Sequence, residues 1–228
     1  CGEQQWSVAD ADPASYNARL LEALWRDMGG RLGGRVLDGP APAGLKPSFE
    51  QRSPPLAEVV RDINKYSNNV MAQQLLLTLA LQRDPAAPAT PEAGSALLRD
   101  WLVERTGPLP PGTVIDSGSG LSREGRLSAA LLARLLQLAW ASPAMPELMS
   151  SLPVNGVDGT LRRSRSDAGR AHLKTGSLNG VAGIAGYVLS DSGRRYVLVA
   201  IVNHANAAAA RPALDALVQW ALRDAPAR

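Results

Sequence analysis

Apolar positions change their period along the chain, and each change marks an element. From Asp12 to Met28, Leu20, Leu21, Leu24 and Trp25 recur at helical spacing, with Asp12-Pro13 as cap and first turn and Gly29-Gly30 as the stop. A short extended piece around Arg35 to Leu37 follows, then a proline-rich connection from Pro40 to Pro55. Ser53-Pro54-Pro55 starts the next helix, because prolines in a first turn remove only donors that would be orphaned anyway. Leu56, Val59, Val60 and Ile63 fall at i, i+3, i+4 and i+7 and give it one apolar face. The pattern breaks at Asn64 to Asn69. Val70 to Leu81 is then apolar on nearly every side, which predicts a buried helix.

The second half alternates loops and helices before it turns to strands. Pro85 to Pro91 reads as a loop, Glu92 to Glu104 as a helix, and Thr113 to Ser119 as a short strand running into a glycine-serine turn. Ser128 caps a leucine-rich helix through Trp140, and Pro143 to Leu152 is helical. Val154 to Gly169 is a polar, glycine-containing loop. Ala171 to Thr175, Val181 to Leu189 and Arg195 to Asn203 are strand-like runs joined by Asn-Gly and Asp-Ser-Gly turns, hence consecutive antiparallel hairpins. A last helix from about Ala207 to Arg223 presents Leu214, Leu217, Val218 and Leu222 on one face.

Composition narrows the class without naming a chemistry. The 228 residues make one large domain or two small ones. With 45% hydrophobic and 20% charged residues the chain is ordinary for a globular protein, and 4% aromatics leave the core to Leu, Val, Ala and Ile. The net charge of +3 is spread out except at Arg162, Arg163 and Arg165. That cluster reads as a solvated loop rather than a nucleic-acid contact. No apolar run is long enough for a transmembrane helix and no signal peptide opens the chain. Cys1, the single cysteine, has no internal disulfide partner and leaves the compartment open.

Two islands combine fixed polar groups with special backbone. Ser67-Asn68-Asn69 lies between two helices, at the N-terminus of the second, where the helix dipole favours anions. A plainer role for Ser67 is the cap of that helix. On the first strand, Lys174 offers an ammonium, Thr175 a hydroxyl, and Gly176 a close approach to the backbone. Together these make an anion site.

Four stretches carry a resemblance: Ile-Asn-Lys-Tyr-Ser-Asn-Asn-Val-Met-Ala-Gln-Gln-Leu (63–75), Asp-Ser-Gly-Ser-Gly-Leu-Ser-Arg (116–123), Gly-Val-Asp-Gly-Thr-Leu (156–161) and His-Leu-Lys-Thr-Gly-Ser-Leu (172–178). In this order they look like the class C low-molecular-mass penicillin-binding proteins, the D-alanyl-D-alanine carboxypeptidase/endopeptidases. The resemblance implies an α/β (α+β) fold of the β-lactamase/transpeptidase type. In it an antiparallel sheet is flanked by the last helix, sheet and helix together covering about 171–223, and by a helical region from about 53–152. It further implies a periplasmic or extracytoplasmic serine enzyme without cofactor or metal, acting on peptidoglycan peptides that end in D-Ala-D-Ala and acylated by β-lactams. Carried over by motif, Ser67 relays protons, Asn69 hydrogen-bonds the substrate amide, and Lys174 faces the substrate carboxylate. Thr175 adds a hydroxyl to that carboxylate, and the Ser177 amide, just past Gly176, is an oxyanion-hole donor. Asn68, the variable middle position, has no chemical role.

The family's nucleophile sits in Ser-x-x-Lys, and no serine here has a lysine three positions later. Lys65 and Ser67, two apart on a helix, do not face each other. The expectation is therefore that residues 1–228 are the C-terminal portion of a longer protein, inactive alone, with the remaining N-terminal part as its partner and Cys1 an internal residue. Two other readings compete. A non-catalytic module could bind peptidoglycan peptides, or a serine β-lactamase could share the motifs, although only Glu147-Leu148-Met149 stands near its expected base loop and no Glu-x-x-Leu-Asn is present.

Overall fold

The three alternating runs become strands β1 (Ala171–Leu178), β2 (Val181–Leu189) and β3 (Arg195–Asn203), an antiparallel sheet in the order β1-β2-β3 in the computed structural model of the chain. The structure describes residues 12–40, 42–47, 50–164 and 168–224, so Cys1 and Arg165 lie outside the described residues. The described residues also form seven α-helices: α1 (Pro13–Asp27), α2 (Leu56–Tyr66), α3 (Asn69–Arg83), α4 (Pro91–Thr106), α5 (Ala129–Trp140), α6 (Met145–Ser151) and α7 (Arg211–Arg223). Residues 1–52 and 53–228 form two separate compact units.

Strand alternation divides the sheet into two faces. Ala171 and Leu173 share one face with Val188, the register partner of Ala171, and with Ile184 and Leu198. There they form one apolar cluster with Val218, Ala221 and Leu222 of α7. The opposite face carries His172, Lys174 and Tyr187. It meets α5, where the Tyr187 hydroxyl donates to the Leu136 carbonyl at 2.7 Å and the ring packs on Trp140 at 5.4 Å. Gly186 sits opposite Leu173 at φ +150, and a Cβ there would lie 2.1 Å from the His172 carbonyl oxygen. Only glycine lets β1 and β2 approach this closely.

Threonine and serine caps set two of the helix starts. Thr90 accepts from the Ala93 amide at 3.2 Å, and Ser128 from the Leu131 amide at 3.1 Å. The predicted buried helix is a correction. In α3 only Leu76 and Ala80 are buried, whereas Val70 is 72% exposed and Leu81 47% exposed. Within the described residues α4, α2 and the loop at Gly118 cover part of α3 and leave positions such as Val70 and Leu81 open. The predicted strand Thr113–Ser119 is a second correction, reduced to one antiparallel bridge between Val114 and Arg126. Side chains take over its amides: Ser117 Oγ accepts from Ser119 N at 3.1 Å, and Gln73 Oε1 from Gly118 N at 2.9 Å. In the first unit, α1 closes at Gly29 (φ +84) as expected, but Leu20, Leu21, Leu24 and Trp25 remain exposed.

Candidate active site

Ser67 stands at the joint between two helices in a conformation that serine rarely adopts. It ends α2 at φ 53, ψ 47, in the left-handed region. Among the described residues only Asp224 is another non-glycine with positive φ. The helix therefore runs through Asn64, Lys65 and Tyr66, further than the apolar pattern indicated. Capping of α3 falls to Asn68, whose side chain accepts from the Met71 amide at 3.0 Å. Ser67 Oγ, released from that task, accepts a hydrogen bond from Lys174 Nζ at 2.6 Å. Asn69, the first residue of α3, is exposed and its carboxamide has no partner among the described residues.

Lys174 reaches Ser67 from the middle of β1, on the α5 side of the sheet. Its ammonium also donates to the Thr175 carbonyl at 2.9 Å. Burial pushes its pKa below the ordinary lysine value of 10.5. β1 is an edge strand, and the ladder fixes which backbone groups face outward. Leu173 N donates away from β2, to Pro153 O at 2.9 Å, and the Ala171 carbonyl accepts from Asn155 N at 3.0 Å. By the same alternation Thr175 and Ser177 turn their amides away from β2. The Thr175 side chain lies on the α7 side of the strand, where its hydroxyl is 3.2 Å from that of Thr160. A Cβ on Gly176 would meet nothing within 4 Å, so the space beside the strand is open.

The motif 116–123 connects both supports. Gln73, one turn after Asn69 on α3, accepts from Gly118 N and, at 3.3 Å, from Ser117 Oγ. At the other end Arg123 donates to the Asn179 carbonyl in the β1–β2 turn at 2.6 Å. A Cβ on Gly118 would lie 2.7 Å from the Ala72 carbonyl oxygen, so the loop lies flush against α3.

The sequence profile of the D-Ala-D-Ala carboxypeptidase 3 (S13) family matches residues 1–224. The chain belongs to this family. Similar proteins include the carboxypeptidase DacB of Mycolicibacterium smegmatis, 33% identical over 90% of this chain and 47% of that protein. Another is the D-alanyl-D-alanine carboxypeptidase DacB of Haemophilus influenzae, 26% identical over 86% of this chain and 42% of that protein. The chain thus spans less than half the length of these relatives. The crystal structure of penicillin binding protein 4 (dacB) from Haemophilus influenzae, complexed with a β-lactam, superposes with a TM-score of 0.70 at 24% identity, over 86% of this chain and 46% of that one. The S13 chain therefore has the expected β-lactamase/transpeptidase-like fold, a mixed helical architecture around an antiparallel three-stranded sheet.

Sequence reasoning on this S13 chain missed the groups that hold the site from behind. Lys65 is 9% exposed, and its Nζ donates to Asp158 Oδ2 and to the Leu152 carbonyl, both at 2.7 Å. Burial pushes the Asp158 carboxyl up, but the Lys65 and Val154 hydrogen bonds and the Lys65 charge outweigh this and hold it below 3.8. Asn155, 1% exposed, accepts from the Arg170 and Ala171 amides at 3.1 and 2.6 Å and fixes the entry to β1. The available signal was the lone Asp158 between two glycine-containing turns and a lysine within an otherwise apolar-faced helix. His172 shares the Lys174 face, and its ring nitrogen Nδ1 lies 3.0 Å from the Met149 carbonyl. Burial holds its pKa below 6.5.

Proposed function

We propose that this chain is the C-terminal part of a penicillin-sensitive, serine-type D-alanyl-D-alanine carboxypeptidase/endopeptidase acting on peptidoglycan peptides outside the cytoplasm. The observation that carries the reading is the 2.6 Å hydrogen bond from Lys174 Nζ to Ser67 Oγ, which joins two motif islands 107 residues apart. A lysine and a serine this close form a proton relay, and the lysine's charge remains available to a carboxylate.

In this reading residues 53–228 supply one wall of the transpeptidase-like site, and the nucleophilic serine of Ser-x-x-Lys comes from the N-terminal part of the same protein. That serine attacks the carbonyl between the two D-alanines. Its proton passes through the Ser67 hydroxyl to the departing D-alanine amine as the C–N bond breaks. Water then hydrolyses the acyl-enzyme and regenerates the serine. Lys174 and Thr175 bind the terminal carboxylate, Asn69 holds the substrate amide, and the outward Ser177 amide beside Gly176 stabilises the oxyanion of each tetrahedral intermediate. A β-lactam enters by the same attack and stays as the acyl-enzyme.

Intact mass spectrometry of the complete protein with and without penicillin tests this. The expected result is one penicilloyl adduct, on a serine of Ser-x-x-Lys outside residues 1–228. A protein that takes no adduct yet binds D-Ala-D-Ala peptides saturably is a binding module, and the proposal fails.

A further inference from the structure

The Lys65–Asp158 pair closes a ring of contacts around the candidate site. Lys65 lies in the last turn of α2, two residues before Ser67, and grips Asp158 Oδ2 at 2.7 Å. The other carboxylate oxygen of Asp158 accepts from Val154 N at 2.8 Å. Val154 stands opposite His172 in an antiparallel bridge, and the neighbouring Pro153 carbonyl takes the Leu173 amide at 2.9 Å. Two residues beyond His172 on β1, Lys174 reaches back to Ser67. The path from Ser67 through Lys65, Asp158, Val154 and His172 to Lys174 thus returns to its start.

Two parallel ties stiffen the same link. Asn64 Nδ2 donates to the fully buried Ser151 Oγ at 2.7 Å. A Cβ on Gly159 would lie 2.8 Å from the Lys65 carbonyl oxygen, so the chain after Asp158 lies flush against the end of α2. Lys65 is buried but the Asp158 side chain is 40% exposed, and such a pair is a poor source of net stability, because desolvation of the lysine and the solvent around the carboxylate offset their attraction. What it supplies is a link of defined length and direction, strong enough to hold a joint.

We infer that Lys65 and Asp158 are positioning residues that set the distance and orientation of Ser67 relative to Lys174. The inference rests on the catalytic reading above. Neither residue touches substrate in this role, since both act through the backbone of α2 and the edge of β1. Loss of the link lets Ser67 drift from Lys174, and a displacement of about 1 Å at an acyl-transfer site lowers the rate by as much as 100-fold.

The test compares Lys65→Met, Asp158→Asn and the double variant in the complete protein. Readouts are thermal melting, the rate of acylation by a fluorescent penicillin, and the 13Cε resonance of Lys174. Asp158→Asn strands the buried Lys65 ammonium and Lys65→Met leaves the half-exposed Asp158 and the buried Leu152 carbonyl without their donor, so each single variant should melt lower. The double variant strands neither charge, and the carboxamide oxygen introduced by Asp158→Asn still accepts from Val154 N, so melting recovers in large part, short of the hydrogen bond that Lys65 gives the buried Leu152 carbonyl. Acylation in the double variant should nevertheless stay at least about tenfold slow, with the Lys174 resonance shifted. A rate that recovers together with the melting temperature overturns the inference, and so does a double variant that does not fold. If the unsubstituted protein takes no label, the proposed function falls separately. The Lys174 resonance then decides: unmoved in a folded double variant, it overturns the positioning role.

Discussion

Replacing Ser67 by glycine and by alanine separates the strain at this position from its chemistry. Helices commonly end on a left-handed glycine, and α2 ends instead on a serine at φ 53, with the amides of Ser67 and Asn68 both directed at the Ile63 carbonyl. A Cβ in this conformation costs about 1 kcal/mol or somewhat more. Both substitutions remove the hydrogen bond from Lys174, so that loss cancels in the comparison. Glycine relieves the strain but gains freedom in the unfolded chain, which returns roughly 0.4–1 kcal/mol. The balance favours Ser67→Gly over Ser67→Ala by about 0.5 kcal/mol, a melting difference of about 1 °C or less in a protein of the complete length. Acylation should be equally impaired in both, because both lack the hydroxyl. Paired scanning calorimetry and fluorescent-penicillin labelling of the complete protein measure the two quantities. An alanine variant that melts at or above the glycine variant refutes the strain argument, and a glycine variant acylated at the normal rate refutes the role of the hydroxyl.

Lys174→Ala should abolish labelling while the protein stays folded, and in the unsubstituted protein the lysine's titration should show in the pH profile. Its folded pKa lies below 10.5, so the folded state releases the proton before the unfolded state does. This group's unfavourable contribution is complete below the folded pKa and is relieved as pH rises toward 10.5. Carboxylate binding weakens over the same interval, so KM for a D-Ala-D-Ala peptide should climb on the alkaline side before an ordinary lysine titrates, and a flat KM to that pH would exclude the role. Gly186→Ala drives a methyl into the His172 carbonyl and should destabilise the protein by about 3 kcal/mol or more in chemical denaturation, since the nearest neighbours are backbone. Asn68→Ala removes the cap of α3 and should lower stability by about 1 kcal/mol in the same assay, with acylation left within a few-fold of normal.

The parts of the fold visible in the sequence are those governed by short-range rules. Period-two alternation and the Asn179-Gly180 turn located β1 and β2, although β1 runs to Leu178, past the glycine at which the reading stopped. The Ser128 cap acts locally, and α5 begins where that residue falls. Errors arose where a distant partner decides. Val70 to Leu81 reads as buried all round only if something covers every side, and among the described residues only part of α3 is covered. Thr113 to Ser119 reads as a strand, but the Ser117 hydroxyl and that of Ser122 just beyond it compete for the backbone amides. At the site, the serine cap was placed one residue early and on the wrong helix: Asn68 caps α3, and Ser67 is the left-handed end of α2. Nothing local in the sequence signals a non-glycine residue in that conformation.

The two lysines of the motif islands show why the site needed a structure. Lys65 and Lys174 each sit beside Ser67, one in sequence and one in space, and each is shielded from water. Lys65 meets a carboxylate at 2.7 Å, so its charge is matched, and it donates to Asp158 and Leu152. Lys174 meets a hydroxyl and a carbonyl and no carboxylate among the described residues. Burial alone accounts for its lowered pKa, with no neighbouring charge contributing. A partly desolvated ammonium held by neutral acceptors keeps most of its field, and that field is strongest where water is excluded. An arriving carboxylate would supply the charge that Lys174 lacks, whereas at Lys65 it would have to displace Asp158. The difference supports the proposed role of Lys174 in substrate recognition and fits Lys65 to holding the frame.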